Sequence, residues 1–150
     1  NNVTWYTAAT GGTIVASPTL SSAGTITYFA EATNSATGCL SLSRTAVTLT
    51  IYPAPLAPSV SAANITECEI SPIQTLNANS VITSSVPVIW YTQATGGTVV
   101  ASPTLSSTGN VTYFAEAVNS TTNCSSLSRT AVTLTISPAP AAPALSGSAA

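Results

Sequence analysis

Apolar and polar residues alternate in short runs along this chain, with Gly, Pro, Asn and Ser between the runs. A period of two puts successive side chains on opposite faces of a strand, whereas a helix needs a period near 3.6. No stretch carries the helical period. The alternation predicts strands at Ser59–Ala63, Ile73–Asn77, Val86–Thr92, Thr98–Ser102, Val111–Val118 and Arg129–Ile136, with a weaker one at Val81–Ser84. About seven short strands with regularly spaced turn signals read as an all-β sandwich. Ala94-Thr95-Gly96-Gly97 supplies a turn in which glycine takes positive φ. Pro103 marks the end of a ladder or an edge strand.

The pattern occurs twice. Trp5-Tyr6-Thr7 returns as Trp90-Tyr91-Thr92, and Pro53-Ala54-Pro55 as Pro138-Ala139-Pro140, at a constant offset of 85 residues. Roughly four in five positions agree between Trp5–Pro58 and Trp90–Pro143, the mark of one folding unit copied in tandem. Residues 1–52 are therefore the C-terminal half of a repeat, 59–137 a complete repeat, and 144–150 the start of a third. Between them lie 53–58 and 138–143, proline-rich linkers that favour extended, semi-rigid polyproline II. The first half-unit lacks the strands equivalent to Ser59–Ser84. Upstream residues would supply them, with strand addition from a neighbouring chain as the alternative.

The last two strands allow a register to be derived, because opposite residues of an antiparallel hairpin have a constant sum of positions. If Glu116 faces Arg129, then Tyr113 faces Val132 and Val111 faces Leu134 on one side of the sheet. On the other side Phe114 meets Ala131 and Thr112 meets Thr133. A single choice groups the aliphatic residues and leaves the ion pair outside. The same choice pairs Glu31 with Arg44 in the first copy, and both pairs read as structural clasps. Trp90 is expected in the core beside Val88. Tyr91 and Phe114 lie on the opposite face, where a sugar-stacking patch is the functional rival to packing.

Composition then removes most chemistry. Only 4% of residues are charged, against about one quarter in ordinary domains, and the net charge is -2. There is no basic stripe for nucleic acid, no polybasic anchor and no apolar run long enough to span a membrane. An apolar content of 45% argues against disorder. Lys, His, Asp and Met are absent. The carboxylates Glu31, Glu67, Glu69 and Glu116 offer one close pair, Glu67/Glu69, read as a solvated loop; no catalysis, cofactor or metal is expected.

Cys39 and Cys124 occupy the same repeat position, and Cys68 lies in the half that the first copy lacks. Each full unit then has two cysteines, which predicts a Cys68–Cys124 disulfide and a partner for Cys39 upstream of residue 1. Two cysteines without His or Asp cannot complete a zinc site, and no neighbouring base lowers a thiol pKa. Disulfides persist in oxidising compartments, so the chain is expected outside the cell or at its surface.

The run Trp-Tyr…Thr-Gly-Gly-Thr-Val-Val-Ala-Ser-Pro-Thr-Leu from Trp90, followed by Thr-Tyr-Phe-Ala-Glu-Ala…Asn-Cys…Ser-Arg-Thr-Ala-Val-Thr-Leu-Thr-Ile, resembles the bacterial Ig-like repeats of giant Bacteroidota surface proteins. The resemblance covers Trp5–Ile51 and Trp90–Ile136. It implies an immunoglobulin-like sandwich with a disulfide from a front loop to the loop before the last strand. It also implies gliding-motility adhesins and type IX secretion as the context. The expected role is a non-catalytic stalk of a surface adhesin or filament. Its partners would be neighbouring repeats, identical chains in a filament or surface glycans, with no nucleic acid and no membrane insertion. The alternative is a carbohydrate-binding or accessory module of a secreted polysaccharide-degrading enzyme.

Overall fold

The structure, a computed structural model, describes residues 2–143; the expected start of a third repeat at 144–150 lies outside the described residues. The chain divides into two compact units, Asn1–Pro53 and Ala54–Ala150.

In the first unit, β1 (Asn2–Tyr6), β2 (Ile14–Val15), β3 (Gly24–Thr33) and β4 (Thr45–Ile51) form one antiparallel sheet in the order β2-β1-β3-β4. Tyr28 faces Val47 and Ile26 faces Leu49. This sheet has one layer only. Val47 stays 36% and Ile51 40% exposed, on a face whose alternation marks it for burial.

The second unit adds a second layer. It comprises β5 (Ser59–Val60), β6 (Asn64–Cys68), β7 (Leu76–Asn77), a 3-10 turn at Ala78–Val81, β8 (Ile82–Thr83), β9 (Val88–Tyr91), β10 (Val99–Val100), β11 (Thr104–Leu105), β12 (Gly109–Ala117) and β13 (Thr130–Ser137). The main sheet runs β10-β9-β12-β13-β6, and the pairs β7–β11 and β5–β8 supply the opposing layer. The β12–β13 register is the one derived from the sequence, with Tyr113 opposite Val132 and Val111 opposite Leu134. Val132, Leu134 and Ile136 are completely buried, against Trp90, Ala115, Leu76 and Ala78. Burying a side chain of this kind stabilises by about 1.5–3 kcal/mol. This is an all-β sandwich.

Two local features differ from the sequence expectation. Glu67 and Cys68 belong to a strand, not a loop: β6 pairs in parallel with β13, Asn64 beside Thr133 and Cys68 beside Ser137. The 3-10 turn was not anticipated, since four residues are too few to show a period. Asn77 starts it, its Oδ1 accepting from the Asn79 backbone N–H at 2.9 Å, as a capping side chain does. That turn places the exposed Asn79 at the rim of the core, where its Oδ1 accepts the Trp90 Nε1–H at 2.7 Å. Pro103 is buried; its carbonyl accepts from the Ala78 backbone N–H, and β11 begins at the next residue.

The boundary at 53–58 is also shorter than its proline spacing suggests. Pro58 is buried, and its carbonyl accepts a hydrogen bond from Thr130 Oγ1, so the spacer's last residue belongs to the second unit.

Candidate functional site

The most elaborate side-chain cluster in each unit surrounds its single arginine. Gly96 and Gly97 adopt φ of 65° and 75°, turning the chain between β9 and β10. A Cβ on Gly97 would come within 2.8 Å of Thr92 Oγ1 and 3.0 Å of the Gln93 backbone nitrogen, so only glycine fits there. The turn is fastened by Thr92, whose Oγ1 accepts from the Thr98 N–H at 3.0 Å. It points the carbonyls of Gln93 and Gly96 towards the sheet. Arg129 donates through Nη1 to both, at 2.8 Å and 2.6 Å, and through Nε to Glu116 Oε1 at 3.3 Å.

The guanidinium also lies flat on Tyr91, with Cζ 3.3 Å from the ring centroid. The first unit repeats the arrangement: Arg44 reaches Glu31 at 3.3 Å, the carbonyls of Ala8 and Gly11, and the Tyr6 ring at 3.3 Å. An open ion pair was expected from the sequence. The four side chains are instead only 11–16% exposed, packed between an aromatic ring and a turn. A cation–π contact that excludes water is worth about 2 kcal/mol, more than a solvated surface pair.

Burial under the arginine, then the Glu116 carboxylate, raises the Tyr91 pKa above the usual tyrosine range; the charge of Arg129 opposes this and does not win. For Tyr6 the Glu31 carboxylate is the larger cause and burial the second.

Beside each clasp is a shallow groove. The one in the second unit holds about 240 Å³, lined by Ala94, Thr95, Gly96, Ser126, Leu127 and Ser128 around the Glu116–Arg129 pair. Its lining is small, neutral and largely hydroxylic. Beyond the clasp its lining holds no titratable group.

Tyr91 and Phe114 are neighbours across β9 and β12, as a stacking patch requires. Arg129 occupies one face of Tyr91, however, and both rings are half-buried. No sequence signal short of the register itself could have placed the arginine over that ring.

The expected Cys68–Cys124 disulfide is not compatible with the topology. Cys68 sits beside Ser137, at the C-terminal end of β13, whereas Cys124 lies in the loop that precedes Thr130 at its other end. The seven residue steps of β13 alone separate them by about 23 Å, far beyond the roughly 7 Å that a disulfide can bridge between Cα atoms. Cys39, Cys68 and Cys124 all carry free thiols. The partner expected for Cys39 upstream of residue 1 lies outside the described residues.

Glu67 and Glu69 are engaged by protein donors, Gln74 Nε2 at 3.4 Å and the Ala139 N–H at 3.3 Å respectively. Among the described residues no three His, Cys, Asp or Glu side chains gather as metal ligands. None of the described helices is long and apolar enough to cross a membrane.

A two-layer sandwich with antiparallel hairpins and a parallel edge strand defines the class, an immunoglobulin-like domain. The chain belongs to the family of CHU_C-associated Ig-like domains, whose model matches it twice, over residues 1–53 and 55–138. No curated protein and no solved structure matches the chain. Domains of this type are structural or accessory modules, typically non-catalytic and typically found in secreted proteins.

Proposed function

We propose that these repeats are load-bearing spacers in a stalk of a large surface adhesin or extracellular filament, carrying a distal binding region away from the cell. One observation supports this above the rest: β6 and β13 pair in parallel near the two ends of the second unit. The incoming chain is fastened at Pro58 to Thr130, at the start of β13, and the outgoing chain leaves from Ser137 at its end. Tension between those points slides β6 along β13 and loads the ladder bonds together, whereas an antiparallel pair held at one end would open bond by bond. Neighbouring repeats are the natural partners, and the gliding-motility and type IX secretion context fits a secreted module of this kind.

Single-molecule stretching of the full chain tests the idea. The second unit should rupture in one cooperative step. Glu67→Pro, which removes an N–H from the β6 ladder while altering an exposed side chain, should lower the rupture force markedly. A rupture force unchanged by Glu67→Pro would sink the clamp. Glycan-array binding lost in Tyr91→Ala or Phe114→Ala would replace the spacer with a sugar-binding accessory module.

A further inference from the structure

The groove beside each clasp has no part in the load path, and it is built the same way twice. All eight residues that line it in the second unit recur in the first at the offset of 85, from Ala94 as Ala9 to Arg129 as Arg44. One wall is the loop ahead of β13. Ser126 is buried and ties that loop down, its Oγ accepting from the Ala117 N–H at 3.1 Å and donating to the Ser128 carbonyl at 2.9 Å. The next residue is thereby turned outward: Leu127 is 95% exposed, and Leu42 in the first unit is wholly exposed. On its own an exposed leucine says little. This one stands beside a groove that is also lined by the mostly buried Glu116–Arg129 pair.

The polar side of the groove has bonding capacity left over. Arg129 commits Nε to Glu116 and Nη1 to two carbonyls, and its Nη2 donates to none of the described residues. Arg44 is bonded in the same way. Among the described residues Glu116 accepts at Oε1 alone, out of about four sites that a carboxylate offers. The exposed hydroxyls of Thr95 and Ser128 bond to no described residue. Donor, acceptor and hydroxyls therefore lie close to one apolar side chain, and the two formal charges cancel. An anionic ligand would be opposed by Glu116 and a cationic one by Arg129.

We infer that each groove is a subsite for one neutral sugar residue, its vicinal hydroxyls on the arginine–glutamate pair and its C–H face against Leu127, or Leu42 in the first unit. A sugar hydroxyl both donates and accepts, so a vicinal pair matches a guanidinium and a carboxylate set side by side. The 240 Å³ of the second unit lies below the roughly 300–1,000 Å³ of pockets for larger ligands, which suits a single ring. The same lining encloses about 460 Å³ in the first unit, where a ring fits with room to spare. An extended peptide suits the groove less well, because it docks through rows of backbone groups and Arg129 already takes the Gln93 and Gly96 carbonyls. The site uses neither β6 nor the linker, so it holds whether or not the repeats bear load.

The test is an amide NMR titration of the full chain with the methyl glycosides of glucose, mannose and galactose. Glucuronic acid and a blocked Ala-Leu-Ala peptide represent the competing chemistries. At least one methyl glycoside should shift Thr95, Gly96, Leu127 and Ser128 together with Thr10, Gly11, Leu42 and Ser43, with one equivalent bound per unit. Ala94→Trp, at an exposed turn position, should fill the second groove and silence the second-unit amides alone; Ala9→Trp should do the converse. Leu42→Ser with Leu127→Ser alters only exposed side chains and should weaken binding about threefold or more, with the rest of the amide spectrum unchanged. Phe114→Ala should leave binding intact. The inference is overturned if no neutral sugar shifts the groove amides, or if binding survives both tryptophan substitutions together. Tighter binding of glucuronic acid or of the peptide overturns it as well. So does loss of binding in Phe114→Ala, which would put the sugar on the aromatic rings instead.

Discussion

Val132 and Val47 hold the same place in near-identical strands, with the same cross-strand tyrosine, yet one is fully buried and the other 36% exposed. The same holds for Ile136 against Ile51. Turn, hairpin register and arginine clasp are reproduced in both units, down to a 3.3 Å guanidinium–ring contact in each. What differs is the opposing layer. Strand pairing in this repeat is therefore written locally, within the fifty residues after the tryptophan, while the hydrophobic stabilisation depends on the segment before it.

Matched substitutions separate the two contributions. Leu134→Ala removes a fully buried side chain and should cost about 2–5 kcal/mol in the second unit, whereas Leu49→Ala in the first should cost well under half as much, as read from residue-resolved hydrogen exchange in denaturant. Equal losses would mean that the first sheet is covered after all. Gly97→Ala combines positive φ with a clash against backbone and should cost about 1–3 kcal/mol, while Gly96→Ala, with open space around its Cβ, should cost only the lower end of that range. Because Gly12 in the first unit shows the same crowding, Gly12→Ala should behave like Gly97→Ala despite the missing layer.

Arg129→Lys keeps the charge and loses the flat stack on Tyr91 and the fork to two carbonyls; about 1 kcal/mol is expected. Arg44→Lys should match it, since the clasp does not touch the front segment. A clasp that weakens in one unit alone would break the comparison.

Tyrosine ionisation gives a smaller signal. The folded-state pKa of Tyr91 is raised, so the folded chain favours the neutral ring. The resulting stability is fully present below pH about 10. It is lost as pH rises through the elevated folded value, and ultraviolet titration should show Tyr6 and Tyr91 ionising above the usual tyrosine range. The smallest effect concerns the thiols. Reductant should leave the denaturation midpoint of the second unit unchanged, whereas an internal Cys68–Cys124 bridge would have contributed about 4 kcal/mol in the chain-entropy picture.

Much of the fold was legible because period-two alternation and a single Glu–Arg pairing fix the hairpin completely. Thr112 facing Thr133, with hydroxyl oxygens 2.9 Å apart, follows from the same register. The front half was harder. Asn64–Cys68 has one strongly apolar side chain, Ile65, and a cysteine set between Glu67 and Glu69, so the end around Cys68 read as a loop; its strand character comes from the edge of β13, a partner about seventy residues away. That misreading carried the disulfide with it. Counting cysteines established two per unit but said nothing of which end of the sheet each occupies, and only the parallel direction of β6 decides that. The stacking of Arg129 on Tyr91 was equally hidden, because the turn that brings Gln93 and Gly96 to the guanidinium is set by two glycine dihedrals rather than by any pattern of side chains.

The clasp has a consequence for survival outside a protected compartment. With no lysine in the chain, a protease that reads cationic side chains finds just two candidate bonds, after Arg44 and Arg129. Both arginines lie pinned on a tyrosine with Nε and Nη1 hydrogen-bonded, and each is followed at once by the first residue of a paired strand. Digestion there requires the hairpin to come apart first, so the same contact that holds the turn also hides the only places where a trypsin-like enzyme could cut.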